Sequence, residues 1–241
     1  MPGRGGAGLA VRGLTKRYGR KTAVDDLSFE VARGEIVAVA GPNGAGKSTT
    51  LMCLAGLVRP DAGTIAFDGV ELGPQRGHAI ALIPETPEVY PLLTVWEHLA
   101  FVAALTKQPS GWEERAETLL ARLDLRADRD TLGNALSKGM RQKTLLAATV
   151  LGGTPAVLLD EPMIGLDPLG QRELRALLGA LRGDGHAILV STHLLENAAA
   201  MCDRMLVLDH GKVVASGTID ELRARRGDAS IEDVFLDVTR S

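Results

Sequence analysis

The segment Gly41-x-x-x-x-Gly46-Lys47-Ser48 specifies chemistry more directly than any other part of this sequence. Glycines at this spacing let backbone N–H groups curl around phosphate oxygens, and a helix that follows presents its positive end to them. Lys47 is placed to reach the β- and γ-phosphates, and the Ser48 hydroxyl is offered to Mg²⁺. Gly41, Pro42, Asn43, Gly44, Ala45, Gly46, Lys47, Ser48 and Thr49 are therefore expected to hold a nucleotide. A chance glycine-rich turn would lack the right flanks. Here the apolar run 35–40 reads as a buried strand before the loop, and a helix is expected after it through residue 57.

A second acidic site ends the apolar strand expected at 156–159, where Asp160, Glu161 and Pro162 follow one another. In a parallel sheet the carboxyl ends of strands are where ligands sit, which turns both acids toward the phosphates. Asp160 can hold the Mg²⁺ shell, and Glu161 is the candidate to polarise an attacking water. An acidic pair at a strand end is, taken alone, more often a helix cap. Its company with the glycine loop favours the catalytic reading.

The elements that must position these groups alternate along the chain. Short strands are expected at 9–14, 26–31 and 65–67, the last turning at Asp68-Gly69, a hairpin dipeptide. Residues 91–152 turn helical, with Thr94-x-x-Glu97 and Ser110-x-x-Glu113 reading as capping boxes and a third helix expected near Ser137. Strands at 187–190, 205–208 and 212–215 follow, with a turn at Asp209-His210-Gly211 and helices at 169–181 and 194–201. Strand–helix alternation on both sides of a helical insertion implies an α/β fold, a parallel-sheet core with a helical subdomain. A loose tail is expected over 1–8, the main domain over 9–227 with its helical part at about 88–152, and a short C-terminal segment over 228–241.

Composition narrows the class. A chain of 241 residues with 45% apolar and 24% charged residues can bury a full core, as one large domain or two small ones. The net charge of −3 and 3% aromatic content give neither a basic field nor stacking platforms, so no nucleic-acid partner is expected. The longest apolar stretch, 144–159, is broken by Gly152, Gly153 and Pro155, and residues 1–8 lack the apolar core of a signal peptide. A cytoplasmic location is expected, with Cys53 and Cys202 as reduced thiols. His78, His98, His186 and His210 show no ligand spacing.

The ordered set Tyr18, 41–48, Leu136-Ser137-Lys138-Gly139-Met140-Arg141-Gln142, Asp160-Glu161, Gly165-Leu166-Asp167 and Ser191-Thr192-His193 resembles the nucleotide-binding subunit of ATP-binding cassette (ABC) transporters. The resemblance spans about 9–218, and the segment at Ser137 with the histidine at His193 narrows it to this family. It implies a P-loop ATPase core with a parallel sheet, an antiparallel β-subdomain and an inserted α-helical subdomain, with Tyr18 stacking on adenine and His193 contacting the γ-phosphate as a catalytic switch. It further implies that Ser137, Lys138, Gly139 and Met140 meet the ATP of a second, head-to-tail subunit, with Asp167 in the dimer-interface loop.

Two departures point toward the exporter branch called ABC-2. Glu85 stands in Ile83-Pro84-Glu85 where the family usually has Gln, and Ser137-Lys138-Gly139-Met140 replaces Ser-Gly-Gly-Gln. A carboxylate at Glu85 can still hold Mg²⁺ through oxygen. The resemblance implies ATP and Mg²⁺ as cofactors, a transmembrane permease partner, and a peripheral position on the cytoplasmic face of the membrane. The docking surface for the permease is expected in 85–105, where Val89-Tyr90-Pro91-Leu92-Leu93 is apolar for a loop; packing beneath the helical insertion is the other reading. An importer subunit, a soluble ABC ATPase with another partner, and a non-hydrolytic nucleotide-binding regulator remain alternatives. The transported substrate is not written in this chain. Residues 230–241, with Ile231, Val234 and Phe235 at helical spacing, either pack on the body or meet a partner.

Overall fold

A computed structural model describes residues 8–224, 230–233 and 235. The tail expected over 1–8 lies outside them except for Gly8, as does most of the C-terminal segment, Val234 included.

A first, antiparallel sheet is built from β1 (Leu9–Tyr18), β2 (Lys21–Val31), β4 (Ala62–Phe67) and β5 (Val70–Glu71), in the order β2-β1-β4-β5. Both β1 and β2 run longer than the sequence suggests. Irregular register lets the polar halves keep pairing past Gly13 and Asp26, both at positive φ, so Tyr18 is carried out to pair with Lys21. At the β4–β5 turn Asp68 and Gly69 both have positive φ, as a two-residue hairpin with the sheet's twist requires.

The second sheet has six strands in the order β10-β9-β3-β8-β7-β6. Its members are β3 (Ile36–Ala40), β6 (Ile80–Ile83), β7 (Ala156–Asp160), β8 (Ala187–Thr192), β9 (Arg204–Asp209) and β10 (Lys212–Thr218). Only the edge strand β10 is antiparallel, joined to β9 by a turn in which His210 and Gly211 both take positive φ. The central strands β3 and β8 are buried along their whole length, which explains their unbroken apolar runs. Alternation then sorts their side chains to two cores. Val37, Val39 and Leu189 face the antiparallel sheet and α1 (Lys47–Ala55), while Ile36, Ala38, Ile188 and Val190 face the opposite layer. That layer includes α5 (Pro168–Gly183), α6 (Leu195–Ala199) and α7 (Ile219–Ala224).

Between β6 and β7 the chain inserts α2 (Val95–Leu105), α3 (Trp112–Arg122), a 3₁₀ turn (Gly133–Ala135) and α4 (Lys138–Leu151). These close a third core around Leu99, Leu120, Leu125 and Ala147. Thr94 caps α2 in a complete capping box with Glu97. The second expected box does not form. Gly111, at φ 87°, is the N-cap of α3 and contributes no side-chain bond. The helix starts one residue later than Ser110 would start it, so Glu113 sits at the second helical position and cannot reach back to the cap. It lies instead in the first turn, near the positive helix end. At the C-terminal end Ile231 is buried and Phe235 packs against the core shared with α6 and α7.

Candidate functional site

The loop 41–48 leaves the carboxyl end of β3 and opens α1, so its N–H groups and the helix terminus face one place. Two glycines are required by neighbours. A Cβ at Gly41 would stand 2.5 Å from the Leu208 carbonyl oxygen, and one at Gly46, whose φ is 105°, would stand 2.3 Å from that of Ala23. Gly44, at φ 85°, has open space beside it, as a phosphate cradle needs. Inside the loop the Lys47 ammonium is buried and donates to the carbonyls of Gly41 at 2.7 Å and Pro42 at 3.3 Å.

Across the cleft, β7 ends at Asp160, and Glu161 turns the chain with φ 45°. The end of β8 grips this corner. The Glu161 N–H donates to the Ser191 carbonyl at 3.1 Å and to Ser191 Oγ at 3.0 Å, while Ser191 Oγ–H donates to Asp160 Oδ1. The Glu161 carboxylate accepts from the His193 backbone N–H at 3.2 Å on Oε2, and its Oε1 lies 3.0 Å from His193 Nδ1. A carboxylate only accepts, so Nδ1 carries the hydrogen and Nε2 is left for another contact. Lys47 Nζ lies 3.7 Å from the same Oε1. Glu161 is only 8% exposed, and the nearby ammonium compensates its buried charge.

Tyr18, Lys21, Ala23, Asn43, Gly44, Gly46, Lys47, Ser48, Thr49, Glu85 and Glu161 line one cleft of about 340 Å³. Tyr18 is half exposed there, with Lys16 Nζ 5.3 Å from its ring centroid. Lys21 escaped the sequence reading. It stands three residues after Tyr18, across the two-residue turn Gly19-Arg20 that joins β1 to β2, so the signal that could have found it is that short turn. For Mg²⁺ the donor set fits. A hydroxyl (Ser48) and a carboxylate (Glu85) line the cleft, and Asp160 leads the chain into Glu161. All are the hard oxygen ligands this ion takes, usually with waters completing its shell.

The segment at Ser137 lies apart from this cleft. Ser137 caps α4, its hydroxyl accepting from the Met140 N–H at 3.2 Å. Lys138 Nζ donates to the Ile164 carbonyl at 2.6 Å, and a Cβ on Gly139 would meet Leu166 at 3.5 Å. The segment therefore packs on the loop that ends in Asp167, which itself caps α5 by accepting from the Gly170 N–H at 2.8 Å. Within one chain, Ser137, Lys138, Gly139, Met140 and Asp167 line no wall of the cleft that holds Lys47.

A separate groove of about 450 Å³ runs between the loop after Glu85 and helices α2 and α4. Val89, Tyr90, Pro91, Phe101, Val102 and Leu145 line it. Its shape depends on His98, an unassigned residue in the sequence reading. The buried ring accepts from the Tyr90 N–H at 2.7 Å through Nε2, and Nδ1 donates to the Thr94 carbonyl at 2.8 Å. The α4 wall could not be read locally, because Leu145 lies more than fifty residues from the loop it faces.

Neither thiol lies in the cleft. Cys53 and Cys202 are both buried and unbridged, and burial pushes the Cys202 thiol up to about 12. Among the described residues no helix is long and apolar enough to cross a membrane.

The chain is similar in sequence and fold to known proteins. The family described as ABC transporter matches residues 24–164. The chain is 37% identical over 236 residues to the Nod factor export ATP-binding protein I of Ralstonia nicotianae, covering 95% of this chain and 73% of that protein. It is 36% identical to the lipopolysaccharide export system ATP-binding protein LptB of Acidithiobacillus ferridurans, covering 95% and 96%. A solved structure described as the ATP binding subunit of an ABC transporter superposes with a TM-score of 0.87 at 35% identity, covering 96% of this chain and 99% of that one.

Proposed function

The chain belongs to the ABC transporter family, and we propose that it is the ATP-hydrolysing subunit that powers a membrane export system. The observation that carries this reading is the single cleft shared by the glycine loop, Lys47, Tyr18 and Glu161. Tyr18 stacks on adenine, and the loop N–H groups with Lys47 hold the phosphates. Glu161 takes a proton from water as its oxygen attacks the γ-phosphorus, and the bond to the β–γ bridging oxygen breaks to release ADP. His193, tied to Glu161 through Nδ1, keeps Nε2 for the γ-phosphate. Ser48 and Glu85 in the cleft, with Asp160 at the end of β7, would hold Mg²⁺, which would supply charge neutralisation for the phosphates.

Ser137, Lys138, Gly139, Met140 and Asp167 act in a dimer. The Ser137 helix end lines no part of this chain's own nucleotide cleft, which supports a role toward the ATP of a second subunit. Whether that subunit is a copy or a relative is set by surfaces outside these motifs. The groove beside Tyr90 and Phe101 seats an apolar segment of a transmembrane permease, which holds the subunit peripherally at the cytoplasmic face. The export direction rests on Glu85, on Ser137-Lys138-Gly139-Met140 and on the exporters among the relatives.

The test is ATP turnover by the purified chain, alone and in liposomes with the hydrophobic protein that copurifies with it. Stimulated turnover with outward movement of a substrate is expected. Turnover without any membrane partner would leave an ABC ATPase of another kind, and inward movement would make it an importer subunit.

A further inference from the structure

Asp160 and Ser191 face one another in the parallel pairing of β7 and β8. The Ser191 side chain is completely buried there, and its one hydroxyl serves two neighbours with opposite needs. Its hydrogen goes to Asp160 Oδ1, since a carboxylate can only accept. Its lone pair takes the Glu161 N–H at 3.0 Å, since an amide can only donate. Each bond fixes the direction of the other. Glu161 meanwhile holds φ 45°, a region L residues rarely adopt, and its peptide N–H has no partners but Ser191 O and Oγ among the described residues.

We propose that Ser191 is a positioning residue for ATP hydrolysis, its hydroxyl setting the Asp160 carboxylate for the metal and holding Glu161 in its turned conformation. The inference rests on the roles given above to Asp160 and Glu161. With Oδ1 occupied by the hydroxyl, Asp160 Oδ2 accepts no hydrogen bond from the described residues and remains for the ion or its waters. With the N–H of Glu161 held at the strand end, its side chain is aimed between Lys47 and His193 rather than along the sheet. No other side chain reaches both acids in this way among the described residues. Thr192 serves the next link, its Oγ1 accepting from the Leu194 N–H at 2.9 Å, which bends the chain after His193.

The test compares Ser191→Ala with Ser191→Thr, which restores a hydroxyl on a residue suited to a strand. Fluorescent ATP binding is titrated in EDTA and then against Mg²⁺, together with kcat and the melting temperature. Ser191→Ala is expected to leave metal-free affinity within about threefold, to raise the Mg²⁺ concentration for half-effect by about tenfold, and to lower kcat by about 10–100-fold. Ser191→Thr is expected to recover most of both losses. Unchanged Mg²⁺ dependence and kcat in Ser191→Ala would overturn the proposal. So would losses that merely follow the melting temperature and metal-free affinity, or a folded Ser191→Thr that recovers nothing. If Ser191→Ala does not fold, Ser191→Cys, similar in bulk but a weak donor, carries the same comparison. A parent protein that bound no ATP would instead remove the functional reading on which the inference stands.

Discussion

In the proposed mechanism Glu161 takes the proton from the attacking water, and its surroundings say what its replacement does. Glu161→Gln keeps an oxygen to accept from the His193 N–H and stays within reach of Lys47, so nucleotide binding survives. It loses the ability to take a proton, and turnover is expected to fall by about 10²–10⁴-fold. Phosphate release alongside ATP binding checks this, and near-parental turnover would strip Glu161 of its role. Glu85 lines the same cleft as a second acid, without a hydrogen-bond partner among the described residues. Glu85→Gln keeps an oxygen ligand and removes only charge, so hydrolysis is expected within about tenfold, a barrier change of about 1.4 kcal/mol or less. The measurement is ATPase rate against Mg²⁺ concentration. If Glu85→Gln stopped turnover as fully as Glu161→Gln, the proton-accepting role would pass to Glu85.

At the scale of elements, helix ends do much of the positioning. The N-terminus of α1 meets the cleft, and that of α4 is presented elsewhere with Ser137 as its cap. Ser137→Ala removes the bond to the Met140 N–H and is expected to cost about 1 kcal/mol of helix stability with little effect on nucleotide affinity. Ser137→Arg adds bulk at an end suited to an anion. Monomer ATP binding is expected to persist while ATP-dependent dimerisation is lost, read by light scattering with the hydrolysis-deficient Glu161→Gln background. Dimers that still formed would move Ser137 away from the interface. Near the other end of the chain, the Glu196 carboxyl of α6 is pushed up from its ordinary value by its hydrogen bond to Glu232 and by the charge of that neighbour.

Over the whole molecule, the helical part and the catalytic core are tied at a few points. Arg122 pairs with Asp184 at 2.7 Å and Lys143 with Glu173 at 2.8 Å, both reaching α5 or its C-terminal end. The groove beside Tyr90 is lined from within the helical part, its first residue, Glu88, three positions after Glu85 in the chain. Phe101 is 45% exposed in it and makes an edge contact with Tyr90 at 5.5 Å. Phe101→Asp places a charge where an apolar partner segment must be desolvated. Copurification with the membrane subunit and stimulation of turnover are expected to drop at least about tenfold, while turnover of the isolated chain stays within about twofold. Retained copurification would move the docking surface elsewhere.

The sequence by itself determined the loop 41–48, the acid pair at 160–161, the buried strands and the Thr94 cap. Each of these is a local pattern, readable because a phosphate cradle, a two-faced buried strand or a helix start imposes its spacing on adjacent residues. The Ser110 cap failed for the converse reason. A glycine at left-handed φ moved the helix start by one residue, and propensity at Ser110 could not register that shift. Only the tertiary structure decided what non-adjacent elements share. It brought Leu145 opposite Tyr90 through helix packing, and the Ser191 hydroxyl between two acids about thirty residues away. A hydrogen bond of that kind leaves no period or spacing in the chain, because its partners meet only where β7 and β8 lie side by side.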